Sequence, residues 1–406
     1  MAAVRRPLSA TFQRFFASER AGGVVLIACT LASLLVANSG AGPAYLDLWR
    51  TDIAGLSIEH WVNDALMAVF FLLIGLELER ELYSGELSDL RQALLPILAA
   101  VGGIVVPAMV HFSLNAGTPA QPGMGIPMAT DIAFALGVLA LLGRGVPASL
   151  KVFLAALAVI DDLGAIVVIA LFYSSGLAWG YLAAALAMFG LLVIANRVLR
   201  LMHLLPYLVG GAVMWFCMFK SGVHATIAGV LLAFAIPYSA RQDDEESPSH
   251  RLEHLLHRPV AFVVLPIFAL ANTGVVVPQA WTDELGSPNS VGILLGLVAG
   301  KPVGIVAACL AAVGLGVCRL PGDIGWRHVC GAGLLGGIGF TMSIFITNLA
   351  FAGNAAQVDS SKIAILVASA IAGLLGFAWL KAFGSPMAGH DDGDTLEFAD
   401  GSGDPR

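Results

Sequence analysis

Twelve apolar runs account for most of this 406-residue chain and leave it few choices of fold. They lie at 22 to 39, 60 to 78, 94 to 114, 123 to 143, 150 to 174, 177 to 196, 204 to 219, 222 to 238, 259 to 280, 290 to 314, 326 to 350 and 360 to 382. A helix crossing a ~30 Å hydrocarbon core needs about 20 apolar residues, so each run is a candidate span. The runs are continuous and lack the period-two alternation of a β-barrel, which predicts an all-α bundle. Only 12% of the residues are charged, about half the share of a soluble domain. That composition excludes a soluble enzyme and a nucleic-acid binder. The partner it implies is the lipid bilayer, and the 46 glycines suit membrane helices.

The basic residues orient the bundle. Of the 21 Lys and Arg, 17 fall on one side of the twelve-span arrangement and three, Arg50, Lys220 and Lys362, on the other, with Lys301 left inside the membrane. By the positive-inside rule both termini are cytoplasmic. The organisation then reads as a cytoplasmic amphipathic segment over 1–21, in which Arg14, Phe15 and Phe16 suggest an interfacial helix, a twelve-helix domain over 22–384, and a tail over 385–406. Ten of the 28 acidic residues sit in Asp243 to Glu246 and in that tail, so the net charge of -7 belongs largely to appendages. The tail, rich in Gly, Asp and Ser, predicts solvated disorder. Cys29, Cys217, Cys309, Cys318 and Cys330 form no CxxC pair and read as small core residues, with neither disulfide nor bound metal.

Few ionisable groups remain at lipid depth: Asp64, Asp131, Asp161, Asp162 and Lys301, with Glu77 near a helix end. Each costs at least ~2.5–3.5 kcal/mol at a helix centre, which makes each a functional candidate. A packing hydrogen bond or ion pair is the competing reading for Asp64. For Asp161 and Asp162 it is weaker, because adjacent carboxylates lie about 100° apart on a helix and one neighbour cannot neutralise both. Burial disfavours the charged form of such a pair, so it holds protons near neutrality; a hard cation such as Na⁺ can balance the same charge when the protons leave. The pair can therefore alternate between protons and a cation.

Two spans carry helix breakers at mid-membrane. One reads Gly125-Ile126-Pro127-Met128-Ala129-Thr130-Asp131, the other Leu335-Gly336-Gly337-Ile338-Gly339-Phe340-Thr341. Each is the middle member of a three-span group, three to five and ten to twelve, which suggests inverted repeats with two interrupted helices crossing at the midplane. Breaks there would leave helix ends with partial charges in lipid. Asp131 stands where positive ends need an anion, and Lys301 could offset the negative ends or pair with an aspartate.

The runs Ala129 to Gly137, Ile160 to Ala165, Lys220 to Thr226, Gly300-Lys301-Pro302 and Gly337 to Phe345 resemble the NhaA family of bacterial Na⁺/H⁺ antiporters, over about Arg14 to Lys381. The resemblance implies a multi-pass inner-membrane transporter, not an enzyme, that exports Na⁺ or Li⁺ for a larger number of protons, without a cofactor. It makes Asp162 and Asp161 the cation and proton site, with Asp162 the leading Na⁺ ligand and Thr130 and Asp131 beside them. Lys301 becomes a charge-compensating lysine that meets Asp161, and Gly336, Gly337 and Gly339 the breakers of the second helix. Glu77, Arg80 and Glu81, with Glu253, His254 and His257, become a pH-response cluster at the cytoplasmic mouth; histidine titrates in the relevant range. His224 falls in a family motif, though a packed, hydrogen-bonded histidine is its plainer reading. The segment Ser39 to Ser57 occupies the place of a dimerising hairpin, which implies a homodimer. Glu79, the acids of 243–246 and the acidic tail depart from the family type and bear on the pH profile.

Other readings fare less well. A Na⁺-coupled symporter for an organic anion would share the architecture but should bring an arginine deep into a span, and none is there. An intramembrane aspartyl protease needs aspartates on two helices and a Gly-x-Gly-Asp sequence; a retinal pigment on Lys301 would have seven spans. The charge asymmetry has a direct check: a fluorescent protein fused after residue 406 should fluoresce, and an alkaline phosphatase fused there should be inactive. The reverse pattern would invert the orientation.

Overall fold

The computed structural model describes residues 10–85, 88, 90–174, 176–239, 247–278 and 281–385, without the side chains of 10–20, 90–92 and 144. Residues 1–9, the acids of 243–246 and the tail from 386 lie outside the described residues. The chain is a polytopic, all-α membrane protein; among the described residues the one sheet is a two-stranded hairpin, Asp52–Ile53 against Leu56–Ser57. That hairpin turns at Ala54 and Gly55, both with positive φ (55° and 85°), the signature of a tight two-residue turn.

In chain order the helices are α1 (Ala10–Ala37), α2 (Gly42–Arg50), α3 (Ile58–Tyr83), α4 (Leu90–Asn115), α5 (Ile132–Leu141), α6 (Ala148–Phe172), α7 (Trp179–Arg197), α8 (Leu204–Ser221), α9 (Ile227–Ala235), α10 (Pro248–Asn272), α11 (Trp281–Leu285), α12 (Pro288–Gly314), α13 (Trp326–Gly336), α14 (Phe340–Ala350) and α15 (Ala355–Phe383). Among the described residues nine helical segments are long and apolar enough to cross a membrane, or up to eleven if each bent pair is one span. The shortfall from twelve lies at 222 to 238. Gly222, with φ 82°, ends α8 in a left-handed cap, the chain turns through Val223 to Thr226, and only the nine residues of α9 are helical. At the N-terminus α1 runs unbroken from Ala10 to Ala37, so residues 10–21 are helical and continuous with the helix over the first apolar run. The ninth run is displaced toward its start: α10 begins at Pro248, capped by Ser247, and ends at Asn272 and Thr273, whose side chains fold back onto Phe268 O (3.0 Å) and Ala269 O (2.7 Å).

The broken spans are as the sequence suggests. The first is a 3₁₀ segment, Gln121–Met128, then extended backbone, then α5; the second is α13 and α14, bent by 46° at Gly337 to Gly339. Pro127, which lacks an N–H, is the last residue but one of the 3₁₀ segment, just before the extended break. Each broken span is flanked by long helices, α4 and α6 or α12 and α15, so one pattern occurs twice. Among the described residues three π-helical turns interrupt the other spans, at Val62–Leu66, Val260–Val264 and Gly296–Gly300. The last two lie just before Pro266 and Pro302, whose rings would clash with the carbonyl four residues earlier.

Two cores result. The larger surrounds the crossing of the broken spans; the smaller joins α7, α8 and α9 to the Leu72 and Leu76 face of α3. Leu186, Leu191, Ile194, Leu205 and Val209 on α7 and α8 are exposed, as expected of helices facing lipid. The broken second span is pinned from one end: His328 accepts from Gly325 N–H (2.9 Å) through Nδ1 and donates through Nε2 to Gly384 O (3.1 Å) at the end of α15.

The most extensive packing sets α12 along α4, and it depends on two glycines. A Cβ at Gly102 would strike the Gly304 carbonyl oxygen, and one at Gly304 would strike that of Gly102. Here only glycine lets the backbones touch. Gly304→Leu should therefore cost ~1–3 kcal/mol through overpacking, read as a lower unfolding midpoint in detergent; an unchanged midpoint would show that the contact carries no stability.

Candidate cation and proton site

Five of the proposed site residues meet at the crossing. Thr130, Asp131, Asp161, Asp162 and Lys301 are all at most 2% exposed. Asp131 lies at the break of the first span and its Oδ1 accepts from Phe134 N–H (3.0 Å), capping α5. Its Oδ2 accepts from Thr341 N–H (3.1 Å) and from the Thr341 hydroxyl, at the start of α14. One carboxylate thus caps two helix N-termini, each carrying about half a positive charge. The spans are joined directly as well: Asp131 N–H donates to Ile338 O (2.7 Å), and the Ser343 hydroxyl to Ile126 O (2.7 Å).

Asp161 and Asp162 project from the middle of α6. Asp161 Oδ2 receives the Thr130 hydroxyl at 2.7 Å and the Lys301 ammonium at 2.8 Å. Thr130 Oγ1 also lies 2.9 Å from Gly336 O, at the carbonyl end of α13, while Lys301 donates to Met128 O, at the carbonyl end of the 3₁₀ segment. Lys301 therefore meets both an aspartate and a negative helix end. Three buried carboxylate oxygens at the crossing have no hydrogen-bond partner among the described residues, Asp161 Oδ1 and both oxygens of Asp162. Buried acceptors are ordinarily paired, so these bare oxygens are candidates to take up a proton or a cation.

The glycines at the second break differ in what they do. Gly336 offers its carbonyl to Thr130, and a Cβ on Gly337 would strike the Leu297 carbonyl oxygen in the π turn ahead of Lys301. Gly339 lies against Leu297 and Ser343.

The second group of candidates is brought together in part. Arg80 on α3 pairs with Glu253 on α10 (2.6 Å) and with Glu81 (3.2 Å), and Glu77, one turn earlier on α3, is buried. His254 is exposed and His257 half-buried. Glu79 is 5% exposed and accepts from the Ser249 hydroxyl (3.3 Å), a burial its place in a charged stretch did not announce. Asp64 is half-buried in a π turn, 3.9 Å from His60. His224 is packed and hydrogen-bonded to Tyr173 O (3.0 Å), in keeping with its plainer reading. Sequence reasoning assigned no role to Thr341 or Ser343, although hydroxyls at 341, 343 and 347 in an apolar run were a usable signal. Among the described residues no three His, Cys, Asp or Glu form a metal-holding group.

A family model described as Na⁺/H⁺ antiporter 1 matches residues 13–380. The chain belongs to that family. Relatives named Na⁺/H⁺ antiporter NhaA agree: one from Dechloromonas aromatica is 68% identical over 94% of this chain and 98% of its own length. Others from Cytophaga hutchinsonii (91% of this chain, 95% of its own length) and Mesorhizobium japonicum (96% and 98%) are 58% and 50% identical.

The Lys301–Asp161 pair can be weighed by a double-mutant cycle. Lys301→Gln alone leaves a buried carboxylate uncompensated and should cost about 3–5 kcal/mol. Adding Asp161→Asn should recover part of that loss in detergent unfolding; additive losses would show that the two groups do not interact.

Proposed function

We infer that this Na⁺/H⁺ antiporter works by competition between protons and Na⁺ for the bare carboxylate oxygens of Asp162 and Asp161. The observation that carries the reading is the pattern of compensation. Asp131 is balanced by two helix N-termini and Asp161 by Lys301, while Asp162 has no hydrogen-bond partner for either oxygen among the described residues. An uncompensated carboxylate at lipid depth takes a proton or a hard cation with oxygen affinity, Na⁺ or Li⁺.

In the transport cycle Asp162 binds Na⁺ from the cytoplasm after losing its proton, with Asp161 Oδ1 as a second oxygen ligand. A further proton is held by the Asp161–Lys301 pair, whose atoms lie 2.8 Å apart. Two protons against one Na⁺ moves net charge, so the membrane potential drives export. Alternating access comes from the broken spans, whose few direct links can be exchanged without unfolding a long helix. The Arg80, Glu81 and Glu253 cluster, with Glu77, His254 and His257 around it, supplies the pH response. The protein acts in the bacterial inner membrane with cytoplasmic termini, as a homodimer joined through the Asp52–Ser57 hairpin. No observation favours a symporter.

In inverted vesicles Asp162→Asn should abolish Na⁺-induced proton release, whereas Thr130→Ser, which keeps the hydroxyl facing Asp161, should retain it. Full activity in a folded Asp162→Asn protein would refute the site.

A further inference from the structure

Three asparagines outside this site form a chain across the bundle. Asn272, wholly buried near the end of α10, donates to Asn63 Oδ1 (2.9 Å) in the π turn of α3, and to Phe268 O (3.0 Å). Its own Oδ1 accepts from Asn348 Nδ2 (2.6 Å) on α14. Two side-chain bonds thus fasten α3, α10 and α14 together at one level. On α14 the level can be placed relative to the site. Thr341, Phe345 and Asn348 follow at i, i+4 and i+7 on one face, so Asn348 lies about 10 Å along the helix from the residue that holds Asp131.

Between the amides and the site is a buried aromatic layer. Phe345 packs on Phe71 (5.5 Å between ring centres) and on Phe268 (6.4 Å), and all three are at most 1% exposed. Each comes from the same helix as one of the asparagines. Passing outward from Asp131 the bundle therefore meets an apolar plug and then a hydrogen-bonded amide chain, which ends close to the Asp52–Ser57 hairpin preceding α3. A plug alone would seal the path. Amides add a bond that can be exchanged for water at small net cost when the helices separate, without a charge to bury.

We propose that Asn63, Asn272 and Asn348 are the latch of the extracytoplasmic gate, holding α10 and α14 closed over the Phe71, Phe268 and Phe345 plug in the state seen here. They position helices and do not bind the transported ion. The proposal rests on the antiport reading and on its orientation.

The test uses the full chain with its five cysteines replaced and antiport retained, carrying Thr347→Cys, a fully buried reporter between the two layers. A charged, membrane-impermeant thiol reagent is applied from each side. With Asn272→Ala, labelling from outside should rise about two- to tenfold and the apparent KM for cytoplasmic Na⁺ should rise in step, as closed molecules shift to open. Asn348→Ala should do the same, and the double variant no more than the larger single effect. Asn348→Ala carries the test if Asn272→Ala does not fold, being at a half-buried residue. A second reporter, Ala185→Cys in the smaller core, should label no faster. Unchanged labelling at 347, equal acceleration at 185, additive effects, or acceleration only from the cytoplasmic side would each overturn the latch. Antiport is measured on the same vesicles with Asp162→Asn as the control: its absence in the parent overturns the proposed function, and the labelling rates still decide whether the amides close a gate.

Discussion

A helix broken in the middle of a bilayer leaves N–H and C=O groups where no water can satisfy them, at several kcal/mol each. The structure around the crossing answers that constraint. Asp131 takes the N–H ends of α5 and α14, Lys301 takes the carbonyl end of the 3₁₀ segment, and Thr130 reaches the carbonyl end of α13. These groups are charged or polar because the helix ends are. Asp161 is in turn held by the two that serve the carbonyl ends, so the electrostatics of the breaks and of the ion site form one network.

The same constraint accounts for where the chain is rigid and where it is irregular. The long helices α4 and α12 meet back to back at Gly102 and Gly304, a contact too close for any side chain, and each packs against one of the broken spans, α4 on the 3₁₀ segment and α12 on α13. The π turns before Pro266 and Pro302 are local, each explained by a proline ring. Lys301 follows one of those turns, which places its ammonium between Met128 and Asp161. The smaller core of α7, α8 and α9 joins the rest through α3 and contributes none of the residues at the crossing.

Much of this was legible in sequence because lipid makes charge conspicuous. Asp131, Asp161, Asp162 and Lys301 stand out among apolar residues, and Pro127 and the glycines at 336, 337 and 339 announce the breaks. Less was legible where the signal was a neutral polar residue or a boundary. Asn63, Asn272 and Asn348 lie far apart in the chain, and a single asparagine near a helix end says nothing of its partner. Glu79 reads as one more charge in a polar stretch, yet it is buried against Ser249. The run 222 to 238 is apolar enough for a span, but Gly222 and the residues after it spend five positions turning, and hydropathy does not register a turn.

Sequence by itself determined that the chain is a helical membrane protein, which groups lie at lipid depth, and which two spans must break, because transfer from water to hydrocarbon and the geometry of proline and glycine act locally. Only the tertiary structure decided how the charges are shared. Asp131, Asp161 and Asp162 look alike as carboxylates in apolar runs, and they are made unequal by what crosses them: two helix ends for the first, a lysine and a threonine for the second, and no hydrogen-bond partner among the described residues for the third. Compensation is a property of distance in three dimensions, and spacing along the chain does not contain it.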